Sequence, residues 1–226
     1  MVIIMIHFFF LFCFLFIKSY GKQNVFLTKD NVLIVKDAID DESVSRVIYK
    51  LNKMKNKEDV YIYLDTPGGS VESGNRLLME IQKYNLSCIA DRAYSMGFVL
   101  LQGCKNRYIR PYGRIMQHQI SYAIRNEKGK IDSYQDFINQ LENDLVNMQS
   151  SRVGLTPQEF RYKTMNDWWM IGQNALKNEC VDDIVDVFCD QALTNQNYTV
   201  NYGSVEFIFS QCPLVNEPID SKIIYN

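Results

Sequence analysis

Val60-Tyr61-Ile62-Tyr63-Leu64, a run of β-branched, aromatic and leucine residues, stops abruptly at Asp65-Thr66-Pro67-Gly68-Gly69. Such a run ending in Pro and Gly reads as a strand entering a tight turn. Helical apolar spacing follows over residues 70–84. The unit then recurs: residues 87–90 form a brief strand, 93–95 a turn, and 96–102 an apolar helix. Strands alternating with helices point to the α/β class.

The flanking segments fit this scheme. From Asp41, read as an N-cap, the residues Val44, Val47, Ile48, Leu51 and Met54 recur at helical spacing. Residues 106–109 and 114–117 read as two strands separated by the turn Arg110-Pro111-Tyr112-Gly113. A helix over 133–152 carries Tyr134, Phe137, Ile138, Leu141, Leu145 and Met148 on one face. After Gly154, Thr156 caps a new helix with Pro157 at its first position. A short helix follows Trp168-Trp169-Met170, then a strand over 181–187. The alternation over 198–209 suggests a small β extension with no obvious chemistry, and no internal repeat is found.

At 226 residues, with 47% hydrophobic and 22% charged residues, the chain accommodates one globular domain with terminal extensions. Its net charge of -2 gives no basic field for nucleic acid. Residues 2–17 are apolar apart from His7, a run too short to span a bilayer comfortably, and Ser19-Tyr20-Gly21 offers a small-x-small pattern. The expected division is therefore a signal peptide or membrane anchor over 1–21, a domain over 22–187 and a β extension over 188–226. That makes the chain membrane-anchored, or secreted into a lumen where disulfides persist. Cys88, Cys104, Cys180, Cys189 and Cys212 cannot all pair internally. With two histidines and no C-x-x-C, the chain offers no zinc spacing, and neither metal nor cofactor is expected.

Chemistry concentrates at two turns. Gly68 and Gly69 let backbone N–H groups approach a bound substrate at the start of a helix, although a Pro-Gly-Gly turn is often purely structural. Ser95-Met96-Gly97 repeats the arrangement with a hydroxyl, where a serine is ordinarily a cap. His118 is the sole histidine outside the N-terminal apolar run, hence the sole imidazole available to activate a serine. For the orienting acid, Asp132, Asp136, Asp144, Asp167, Asp182 and Asp183 all remain open. Asp167 is preferred because the rings of Trp168 and Trp169 can shield it from water.

Thr66-Pro67-Gly68-Gly69-Ser70-Val71, Tyr94-Ser95-Met96-Gly97, Met116-Gln117-His118-Gln119 and Thr164-Met165-Asn166-Asp167-Trp168 stand in that order. Over residues 60–185 the chain resembles the Clp protease proteolytic subunit family. The resemblance implies Ser95 as nucleophile, His118 as base, Asp167 as orienter and an oxyanion hole from the Gly69 and Met96 N–H groups. It also implies a spiral of ββα units, a handle helix near 133–152 and subunits packed in homo-oligomeric rings. Ile120, Tyr94 and Trp168 depart from the family pattern. Residues 22–59 do not resemble the family's N-terminal segment, which argues against docking of an ATP-driven unfoldase. The resulting expectation is a stand-alone serine endopeptidase acting on peptides or unfolded protein.

Three rivals are weighed. A catalytically silent scaffold at a membrane reached through residues 2–17 would have no use for the complete Ser95, His118 and Asp167 set. A crotonase-fold acyl-CoA enzyme would not need the triad. A membrane-associated signal-peptide peptidase with a Ser-Lys pair leaves His118 without a role.

Overall fold

A computed structural model describes residues 23–224. Its main sheet contains β1 (Gln23–Leu27), β2 (Val32–Lys36), β3 (Tyr61–Thr66), β4 (Ser87–Tyr94), β5 (Arg107–Gln117), β6 (Trp168–Ile171) and β7 (Asp183–Cys189). The order is β1-β7-β5-β4-β3-β2, with β6 added to the C-terminal half of β5. Every pairing is parallel except β5 with β6. The helices are α1 (Asp41–Lys53), α2 (Val71–Lys83), α3 (Met96–Gly103), α4 (Lys128–Arg152), α5 (Pro157–Thr164), α6 (Gly172–Lys177) and α7 (Gln191–Asn195). This is the α/β architecture expected.

Local chemistry sets the helix starts. Asp40, one residue earlier than expected, caps α1: its carboxylate accepts the Ser43 N–H at 2.8 Å while the Ser43 hydroxyl accepts the Asp40 N–H at 3.0 Å. Val44, Val47 and Leu51 then face the core. Ser70 caps α2, and Thr156 with Glu159 forms a capping box ahead of Pro157 in α5. The core lies on both faces of the sheet. Leu33, Ile62, Leu64, Leu77 and Phe98 are buried on one side and Val25, Leu27, Tyr63, Ile89 and Val185 on the other.

Several expectations are corrected. The segment before α1 holds two strands, β1 and β2, which local pattern obscured because Lys29-Asp30-Asn31 divides them and β1 finds its partner, β7, far along the chain. β4 runs on to Tyr94, so the turn before α3 is Ser95 alone. The two strands expected around Pro111 are one. Ala90 pairs with Ile109 and Arg92 with Arg114, so residues 110–113 bulge opposite Asp91, where the missing Pro111 N–H costs no ladder bond. The helix expected from 133 begins at Lys128, while the short helix expected after Trp168-Trp169-Met170 is α6.

Inside this framework Arg107, with its side chain 6% exposed, donates from Nη2 to Asp182 Oδ1 at 2.5 Å. Its Nη1 donates to Gln102 Oε1 at 2.7 Å and to the Arg152 carbonyl at 2.9 Å. The network ties the start of β5 to α3, to the end of α4 and to the start of β7.

Beyond β7, β8 (Asn197–Tyr202), β9 (Val205–Ser210) and β10 (Asp220–Ile223) form an antiparallel sheet ordered β10-β9-β8. Disulfides join Cys88 to Cys104 and Cys189 to Cys212, while Cys180 is a buried free thiol. The membrane-anchored or lumenal placement is not upheld. No helix among the described residues is long and apolar enough to cross a membrane. The apolar run at residues 2–17 lies outside the described residues.

Candidate active site

The parallel strands deliver their C-terminal ends to one edge of the sheet, where open α/β folds bind ligands. Ser95 follows β4 directly and opens α3 with φ 52° and ψ -116°, a backbone state unusual for a residue with a side chain. Its N–H donates to the Met116 carbonyl at 2.9 Å, and its own carbonyl accepts from Phe98 and Val99. The hydroxyl makes no cap bond, so the ordinary role of a serine at this position does not apply. The following helix is buried all round, leaving the half-buried Ser95 at its exposed tip.

β5 and β6 carry the other two residues. Met116 pairs with Trp169 and Gln117 with Trp168 in antiparallel register, and His118 and Asp167 are the next residues beyond that last pair. On the other side of β5, Tyr94 pairs with Met116, which sets Ser95 beside Gln117. Strand order thus carries the chain segments bearing Ser95, His118 and Asp167 to the same end of the sheet. No hydrogen bond links their side chains among the described residues; catalytic hydrogen bonds are commonly long in unliganded sites and tighten around substrate. The end of β5 is anchored by Gln117, whose Nε2 donates to Gln149 Oε1 at 2.5 Å while Gln149 Nε2 donates to the Leu145 carbonyl.

The reason given for Asp167 from sequence does not hold, since the residue is exposed and sits at φ 54°. Trp168 turns toward Phe98 and Phe160, and Trp169 meets Tyr94 edge-on at 4.9 Å. The other acids are accounted for differently. Asp182 holds Arg107, Asp132 pairs with Lys128, and Asp136 and Asp144 lie along α4. Asp183 accepts the Ile184 N–H.

The glycine turn presses against the serine. A Cβ on Gly68, whose φ is 96°, would lie 2.7 Å from the Tyr94 carbonyl oxygen and 2.8 Å from Ser95 Cβ. One on Gly69 would lie 2.3 Å from the Ile39 carbonyl oxygen. Ile39 holds the turn from outside, donating to the Gly68 carbonyl at 2.9 Å and accepting the Ser70 N–H at 2.8 Å. Thr66 holds it from beneath: its buried hydroxyl accepts the Gly68 N–H at 3.1 Å and donates to the Asp37 carbonyl at 2.5 Å. The N–H groups of Gly69 and Met96 find no acceptor among the described residues, so both remain available to an anionic oxygen. Beside His118 a cleft of about 40 Å³ opens among Val71, Met96, Val99, Leu145 and Phe160, with the Arg161–Glu142 ion pair of 3.2 Å at its lining.

Sequence reasoning did not find Thr66, Ile39 or Gln149 as supports. Thr66 carried a signal in its place ahead of Pro-Gly-Gly; Ile39 and Gln149 act through tertiary contacts that local pattern does not carry. Among the described residues no group of His, Cys, Asp and Glu is arranged to hold a metal.

The profile of the family described as Clp protease matches residues 18–187. ATP-dependent Clp protease proteolytic subunit 2 of Tropheryma whipplei is 30% identical over 176 residues, covering 74% of this chain and 98% of its own. The ATP-dependent Clp protease proteolytic subunit of Borreliella afzelii is 26% identical over 70% of this chain and 85% of its own. Subunit 1 of Borreliella burgdorferi is also 26% identical, over 70% and 86%. The match begins at residue 18 and so includes residues 22–59.

Proposed function

The chain belongs to the Clp protease family, and on that premise we propose a serine-type peptidase acting through Ser95, His118 and Asp167. What supports the proposal is the register of β4, β5 and β6, which leaves Ser95, His118 and Asp167 each one residue beyond a paired one at the same end of the sheet. His118 takes the Ser95 proton as Oγ attacks the peptide carbonyl carbon. The tetrahedral oxyanion is held by the Gly69 and Met96 N–H groups, with Gly68 and Gly69 forming the substrate-binding turn. His118 then gives the proton to the leaving amine as the C–N bond breaks, leaving an acyl ester on Ser95 that water hydrolyses through the same imidazole. Asp167 orients the ring and stabilises its charged form.

The substrate class is peptide or unfolded protein, and the working assembly is a homo-oligomeric ring in which α4, the handle, packs subunits together. We divide the chain into a peptidase domain over residues 22–187 and a C-terminal β extension over 188–226. The test is cleavage of a fluorogenic peptide by the purified protein and by its Ser95→Ala variant, with sedimentation to read the assembly. Cleavage abolished in the variant supports the proposal. Cleavage unchanged in the variant overturns it, and a wild type inert toward both peptides and serine-directed probes is a silent scaffold.

A further inference from the structure

Away from the candidate active site, two clefts of about 720 Å³ each meet at Ile34, Lys50 and Gln211 and make one groove along β2. Its charge is one-sided. Lys29, Lys36, Arg46, Lys50, Lys53 and Lys55 line it, against Asp30 and Asp37, in a chain whose net charge is -2. Arg46 is engaged by Glu42, and Lys36 is held by the Asn216 carbonyl and the Phe209 ring. Lys29, Lys50, Lys53 and Lys55 have no acidic partner among the described residues.

Two further features narrow the occupant. β2 is the last strand of its sheet, so among the described residues its outer edge has no strand partner. The facing wall is apolar: Tyr198 stacks on Phe209 at 5.3 Å, with Val200 beside them, and Val47 of α1 adds to the lining. An open strand edge recruits an extended backbone, alternating side chains of that backbone point to opposite faces, and cations favour carboxylates. A bare polyanion would leave the apolar wall unused. The C-terminal sheet that supplies this wall lies beyond the family match, which ends at residue 187.

We propose that this groove binds an extended acidic polypeptide segment laid along β2, its carboxylates on the lysines of α1 and its apolar side chains against Tyr198, Val200 and Phe209. The assignment stands independently of the serine peptidase reading, because it uses no residue of that site.

The test uses the full chain and a labelled, end-blocked decapeptide alternating glutamate with isoleucine. Fluorescence anisotropy measures its affinity beside a lysine–isoleucine peptide of the same length, polyglutamate and a single-stranded oligonucleotide. Lys50→Glu with Lys53→Glu changes only exposed positions of α1, and Val200→Arg tests the apolar wall; thermal melts check that both variants fold. Expected are selective binding of the glutamate–isoleucine peptide and protection of β2 amides from hydrogen exchange. Each variant is expected to weaken affinity about tenfold or more. Equal binding of the lysine peptide, or unchanged affinity in both variants, overturns the proposal. Tighter binding of the oligonucleotide assigns the groove to nucleic acid instead. Loss of self-association in the charge reversal, without selective peptide binding by wild type, assigns it to a second copy of the chain.

Discussion

Trp168 pairs with Gln117 in the antiparallel register of β5 and β6, so Asp167 and His118, each one residue beyond that pair, leave the same end of the two strands. Asp167 is solvent-exposed there, so its electrostatic hold on the imidazole is weaker than that of a buried acid. Asp167→Asn is expected to slow reaction of Ser95 with a fluorophosphonate by about a hundredfold to ten-thousandfold, nearer the lower figure. Stopped reactions quantified by in-gel fluorescence measure it. An unchanged rate would assign the orienting role elsewhere.

Thr66 supports the glycine turn with one hydroxyl that accepts from Gly68 and donates to Asp37, while its methyl carbon sits 2.7 Å from where a Cβ on Gly97 would lie. Thr66→Val keeps the shape and removes the hydroxyl, leaving the buried Gly68 N–H without its acceptor at a cost of about 1–3 kcal/mol, while the Asp37 carbonyl lies on an exposed residue. Peptide turnover is expected to fall in kcat more than to rise in KM, because the displaced donors serve the transition state. Thr66→Ser is expected to restore most of the turnover. A valine variant with wild-type kcat contradicts the positioning role.

Gly68→Ala puts a methyl against the Tyr94 carbonyl and Ser95 Cβ at a φ of 96°. Forcing a side chain into that region costs about 1–3 kcal/mol even before the clash. The expected outcome is a lowered melting temperature together with loss of Ser95 labelling. Full labelling at wild-type rate would mean that the turn does not abut the nucleophile.

Burial acts to raise the Asp182 carboxyl, but the hydrogen bonds and charge of Arg107 outweigh it and hold it below its ordinary value. A carboxyl held low in the folded state stabilises at pH above its unfolded pKa, and that stabilisation disappears as pH falls through the lower folded value. Asp182→Asn leaves Arg107 buried without its counter-ion and is expected to cost about 3 kcal/mol, the low end for a broken buried pair because Asp182 is 40% exposed. Urea unfolding at neutral and acidic pH checks both statements. The gap between wild type and variant should narrow in acid, and a constant gap contradicts the ion-pair account.

The α/β class was legible wherever a strand ended in its own punctuation, as at Leu64 before Pro67-Gly68-Gly69, and wherever helices carried local caps such as Ser70 and Thr156. Features resting on distant partners were not. β1 is ordered by β7 across most of the chain, and Pro111 is tolerated inside β5 because the strand bulges against β4. At the site, the scarcity of histidine pointed to His118 and motif order to Ser95. Asp167 was preferred for shielding by Trp168 and Trp169, yet Trp168 serves the core beside Phe160 and Asp167 is exposed, one residue beyond the last pair of β5 and β6. Residue chemistry named the candidates, and their juxtaposition needed the sheet.

The central claim is that Ser95 is a nucleophile activated by His118. Its most direct measurement is labelling of the folded wild type, Ser95→Ala and His118→Ala by a fluorophosphonate probe, with the modified peptide located by mass spectrometry. The expected result is stoichiometric modification of wild type at Ser95, none in Ser95→Ala, and labelling slowed by at least about a thousandfold in His118→Ala. Equal labelling of all three proteins, or modification at another residue, would contradict it.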